Sequence, residues 1–244
     1  MKEMIKVRDK NHLISIIEDS AMDADLNHLD VSGVTDMKYL FHEAVFYGDI
    51  SKWDTSSVVD MEGMFCESKF NGDISNWNVS NVRNMRGTFA KSRFNGDISK
   101  WDVSRVSFAE CMFKGSKFNG DISNWNVSHI HEMGGMFMDS LFNNDISKWD
   151  VSNVWRMQGM FRNSEFTGDI SKWNVSEVDD MMDMFRESKF NGDISNWKLS
   201  SIREMECMFY QSEFDGDISN WDVPDRKWIN PETRKVTKPR RGRK

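Results

Sequence analysis

Phe70–Arg93 reads FNGDISNWNVSNVRNMRGTFAKSR, and the phrase that opens it returns every 24 residues along a chain of 244. Phe46, Phe70, Phe94, Phe118, Phe142, Phe166, Phe190 and Phe214 start eight copies with no insertion or deletion between them. Trp53, Trp77, Trp101, Trp125, Trp149, Trp173, Trp197 and Trp221 follow seven residues later in the same copies. A constant period of about 20–50 residues belongs to stacked units, each unable to bury its apolar face alone. The expected fold is an α/β solenoid of 24-residue coils, each a short strand plus a short helix, closed by an N-terminal cap.

Within the quoted coil, Gly72 has glycine equivalents everywhere except Asn144. Glycine replaced only by asparagine suggests a backbone position with φ > 0, hence a tight turn. A strand is then expected around Ile74, with Asp73 and Ser75 on its other face. Ser80 is expected to cap a helical turn whose Val82, Met85 and Phe89 share one face, as Val154, Met157 and Phe161 do later. A strand plus a helix per turn is the leucine-rich-repeat plan, with Leu largely replaced by Phe, Trp and Met. Eight of ten Trp and most of the seventeen Phe fall in repeat columns, so they are expected inside rather than on a ligand ladder.

The ends divide the chain further. Residues 1–25 are expected to form an N-terminal cap, with a strand over Met4–Val7 and a helix that Asp9 caps and Leu13, Ile14, Ile16 and Ile17 seal. The solenoid itself spans 26–223, beginning with a degenerate coil from Leu26. Residues 224–230, with Trp228 and Ile229, are expected to close the last coil. Residues 231–244 carry seven Lys/Arg against Glu232 alone and no apolar period, so a disordered basic tail is expected. Weak polyanion binding through this tail and a mere solubility role both remain open.

Net charge is −7, and the tail's excess leaves the rest of the chain near −13. No apolar run approaches the ~18 residues of a membrane span, and the start of the chain has no continuous apolar signal region, so a cytoplasmic protein without membrane contact is expected. Cys66, Cys111 and Cys207 are an odd number, and Cys111 and Cys207 are separated by four coils, roughly 19 Å at strand spacing, too far for a disulfide.

The phrases FNGDISNWNVSNVRNMRGTF and FNNDISKWDVSNVWRMQGMF resemble the BspA-type leucine-rich-repeat surface proteins, whose repeat is also known as a Mycoplasma or Listeria lipoprotein repeat of unknown function. The shared core is D-V-S-N-V-x-x-M-x-x-M-F, and the likeness covers about residues 26–223. The resemblance implies a leucine-rich-repeat-like fold and a role in adhesion or protein binding, with no catalytic residue to carry over. It also implies surface display, for which this chain shows no signal.

The residues suggest binding rather than catalysis. No Ser-His-Asp order, phosphate loop or Cys-x-x-Cys motif occurs, and His129 and His131 have no partners at metal-ligand spacing, so no enzyme, metal or other cofactor is expected. The column Asp49 to Asp217 would stack eight carboxylates at ~4.8 Å, with a repulsion of roughly 0.9 kcal/mol per adjacent pair even in bulk water. Its use in every coil favours a structural role: backbone N–H groups from the Gly turn or the next coil, or lysines such as Lys52, Lys100 and Lys148. One column changes chemistry instead: Val59, Arg83, Ser107, His131, Trp155, Asp179, Arg203. Phe108, His131 and Trp155 lie on three successive coils and are the candidate partner-binding patch, ~10 Å long. Phe108 could also turn inward, because Ala109 occupies a column that normally holds Met. The function expected is a monomeric, non-enzymatic scaffold for a protein partner. The alternatives are an acidic mimic of nucleic acid and a surface adhesin.

Overall fold

The computed structural model describes residues 3–223. The expected closing segment 224–230 and basic tail 231–244 lie outside these residues.

At the N-terminus, β1 (Ile5–Lys6) pairs in parallel with β2 (Leu29–Asp30), placing the start of the chain on the first coil. Between them runs α1 (Lys10–Glu18), begun by Asp9, whose carboxylate accepts the His12 N–H at 2.8 Å. Such an N-cap satisfies a donor that the helix leaves unpaired. Leu13 is fully buried, and Ile14, Ile16 and Ile17 pack on the core beside it.

From Asp36 onward the coils stack in register through single parallel bridges that join Asp36, Asp60, Asn84, Phe108, Glu132, Arg156, Asp180 and Glu204 in turn. The repeat fold is thus a stack with a 24-residue period, but its coils are not built as expected. The stretch around Ile74 forms no strand, and the bridge line instead crosses the stretch assigned to the helix. Among the described residues α1 is the only helix.

Consecutive turns take the helix's place. Thr88 N–H bonds to Met85 O, and Ser92 N–H bonds to Phe89 O. Gly87 and Lys91, third in these two turns, are left-handed at φ 58° and 53°, as type II turns require. The alternate N–H groups of Met85, Gly87, Phe89 and Lys91 donate to Phe108, Glu110, Met112 and Lys114 of the next coil, at 2.6–2.9 Å. A helix would have spent those carbonyls inside its own segment. Four-residue turns bring every fourth residue inward, so they leave nearly the same apolar spacing in sequence as a helix of period 3.6.

The glycine column needs a second correction. Neither Gly72 nor its equivalents are left-handed. The ring of Phe70 lies across Gly72, and a Cβ there would sit 2.8 Å from ring carbons. Room, not φ, disfavours a side chain there. Asn144 turns its amide outward and donates to the Asn119 and Gly120 carbonyls.

Three aromatic columns fill the interior. Phe137 stacks on Phe161 at 5.8 Å and on Phe142, which opens the next copy, at 4.2 Å, and Trp149 stacks on Trp173 at 6.5 Å. All eight repeat tryptophans are buried. Each also donates its Nε1–H to a carbonyl of the preceding coil, Trp125 to Ile98 O at 3.1 Å for example, so no indole is buried unpaired.

Candidate functional site

The aspartate column is structural. In every coil the carboxylate accepts the N–H of the serine two residues on, from Asp49 with Ser51 to Asp217 with Ser219. These are Asx turns made within one coil. The relief expected from the Gly turn, the next coil or a lysine ion pair is therefore supplied by the residue's own serine. The bonds hold each of the eight carboxyls below the usual aspartate range. Ser80 likewise caps no helix: its N–H donates to Asn78 Oδ1, and the same turn recurs at Ser56, Ser104, Ser128, Ser152 and Ser176.

The variable column runs along the bridge line. Ser107, His131, Trp155 and Asp179 form an unbroken backbone ladder, in which each N–H donates to the carbonyl one coil back at 2.9–3.0 Å. Their side chains are carried outward beside the buried Val106, Ile130, Val154 and Val178. Trp155 is 47% exposed, whereas the eight repeat tryptophans are at most 5% exposed. The His131 ring stacks on one face of Trp155, with centroids 5.3 Å apart and planes 28° apart. His131 Nδ1 lies 3.2 Å from Asn153 O, which fixes the ring against that coil.

Phe108 is placed elsewhere. It occupies the neighbouring column with Glu132 and Arg156, half-buried, and makes no ring contact with His131 or Trp155. Successive residues of an extended segment leave on opposite sides. The Arg86 guanidinium covers the Phe108 ring, 4.1 Å from its centre. Ala109 keeps the inward place, fully buried. The structure therefore brings His131 and Trp155 together and sets Phe108 in a separate cluster.

That cluster was not anticipated. Arg86 bonds Glu110 at 2.6 Å and Glu132 at 3.3 Å, linking three coils. Burial pushes the Glu110 carboxyl up to about 7, assisted by its hydrogen bond with Glu132, while that same bond and Arg86 hold Glu132 low. Oε2 of Glu110 is buried with no hydrogen-bond partner, which disfavours the charged form of the carboxyl. The sequence did hold a signal: Lys38, Glu62, Arg86 and Glu110 alternate in sign down one column.

Among the described residues, no group of three His, Cys, Asp or Glu side chains could hold a metal ion. No described helix is long and apolar enough to cross a membrane.

A stack built of near-identical coils should match a repeat family in overlapping windows, and it does. The family described as "Mycoplasma protein of unknown function, DUF285" matches residues 11–117, 45–141, 66–165, 94–187 and 139–233. The chain belongs to this repeat family. No curated protein and no solved structure matches it.

Proposed function

We propose that the protein is a non-enzymatic, monomeric scaffold of leucine-rich-repeat type that binds another protein through the outward side of its bridge line. The observation that carries this reading is Trp155, a half-exposed indole stacked on His131 in a column whose other occupants, apart from Val59, are polar. A large apolar side chain that the stack does not need, set in a rigid ladder, fits an interaction anchor. Parallel pairing between coils and the resemblance to BspA-type repeats support the same reading, although each coil here is built from turns. The cytoplasm is the proposed location, and surface display follows only if the BspA resemblance extends to export.

The test is affinity capture from host extract with the whole chain and with Trp155→Ala. A partner retained by the first and lost by the second is expected. A partner held equally by both would remove the site. A second reading, an acidic mimic of nucleic acid, draws on the net charge of −7 and the continuous aspartate column. Captured nucleic-acid-binding proteins released by modest salt would favour it.

A further inference from the structure

Two other rings at the edge of the stack are satisfied by the chain's own arginines. The Arg86 guanidinium over Phe108 is also held by Glu110 and Glu132. The Arg186 guanidinium lies 4.8 Å from the centre of the Tyr210 ring and pairs with Asp183 and Glu187. Each set has one ring, one guanidinium from the preceding coil and two carboxylates. Ring quadrupole and charge-assisted hydrogen bonds act on the same cation.

Trp155 has a ring and carboxylates of this kind without an internal cation. His131 takes one face, as its 5.3 Å stacking shows. The other face looks along the stack to the next coil, where the same column holds Asp179. Glu177 is exposed and lies two residues before Asp179, across the buried Val178. Asp179 N–H donates to Trp155 O at 2.9 Å, so the two residues stand one coil apart, about 4.8 Å. Among the described residues neither Glu177 nor Asp179 forms an ion pair, and no lysine or arginine covers the Trp155 ring. Arg156 leaves the ladder on the opposite side, in the column of Phe108 and Glu132.

We infer that Trp155, Asp179 and Glu177 form a subsite for an arginine side chain of the protein partner, the indole face stacking on the guanidinium and the carboxylates supplying its counter-charge. A planar guanidinium suits both contacts better than a strongly hydrated ammonium does. This rests on the interaction-surface reading above and adds the chemistry of the partner.

The test titrates the isotope-labelled full chain with Gly-Arg-Gly amide and follows the Trp155 indole and Asp179 amide resonances. Gly-norleucine-Gly amide is the apolar control. Saturable shifts at these two residues with a millimolar dissociation constant are expected for the arginine peptide alone. Asp179→Asn should weaken binding about three- to tenfold, and Trp155→Ala should abolish it. Equal shifts with the norleucine peptide would make the site an apolar anchor and overturn the inference. So would silence at about 50 mM arginine peptide, well beyond the millimolar range, or an unchanged affinity in Asp179→Asn. Partner capture that depends on Trp155 without any arginine response leaves the scaffold standing and removes only this subsite. An arginine response without Trp155-dependent capture does the reverse.

Discussion

Asp73 and its seven equivalents each bind the serine N–H two residues on, while the column through Arg83 and Trp155 changes its occupant in nearly every coil. Both columns run along the same stack and rest on the same buried core. The first is constant because each coil needs that Asx turn to fold back on itself. The second is held chiefly by its backbone ladder, so most of its side chains are free of structural duty. In a repeat protein, constancy marks what holds the coil, and deviation marks where something else can be recognised.

Substitutions on the constant side should have the largest effects. Trp125→Ala removes a buried indole, its stacking and its bond to Ile98 O, and should cost ~3–5 kcal/mol in denaturant unfolding. A loss below about 1 kcal/mol would contradict its place in the core. Gly120→Ala comes next: its Cβ would meet Phe118 ring carbons at 2.8 Å, and a cost of ~1–3 kcal/mol is expected although the residue is not left-handed. Trp155→Ala, on the variable side, should change stability by less than ~1 kcal/mol yet weaken partner binding by ~2 kcal/mol or more. Arg83→Ala, in the same column, should change neither and serves as the control. A Trp155 variant that unfolds easily would erase the contrast between the columns.

Smaller effects sharpen the comparison. Glu43 is exposed and left-handed at φ 56°, so Glu43→Gly should stabilise by about 0.5–1 kcal/mol in thermal unfolding. A further test is a pH slope. The Glu110 carboxyl is raised from 4.5 to about 7, so the folded state holds its proton more tightly than the unfolded chain does. Its stabilising contribution is complete below 4.5 and is lost as pH rises through about 7. Glu110→Gln should flatten the melting temperature across that window. The aspartate column has the opposite sign: its carboxyls lie below the usual value of 3.8, and their contribution disappears only as pH falls below that value.

The period, the buried Trp column and the structural role of Asp73 were legible in sequence, because each recurs in every copy and one reading must serve all. The path of the backbone was not. Val82, Met85 and Phe89 have helical spacing, yet four-residue turns bring the same residues inward, and apolar spacing cannot separate a period of four from 3.6. Gly72 is ambiguous for a similar reason: a position that needs φ > 0 and one short of room because of Phe70 both appear as a column that is glycine except at Asn144. At the candidate site, His131 and Trp155 share a column and do stack. Phe108 is one residue out of register with them, and that single step carries it to the other side of the ladder beneath Arg86. The role of Glu110 depends on burial, which its column position alone does not reveal.

The tryptophan bonds have a consequence for how the molecule is made. Each Nε1–H reaches back 27 residues, from Trp77 to Ile50 and finally from Trp221 to Ile194. Among the described residues, side-chain links between coils span at most 46 residues, the reach from Arg86 to Glu132. A chain leaving the ribosome therefore meets its partners in the order of synthesis. The capped first coil offers a finished surface, and each newly emerged coil seals the one before it without waiting for distant sequence. Assembly of this kind extends by addition, so the number of coils can change in evolution by duplication while every existing coil keeps its neighbours.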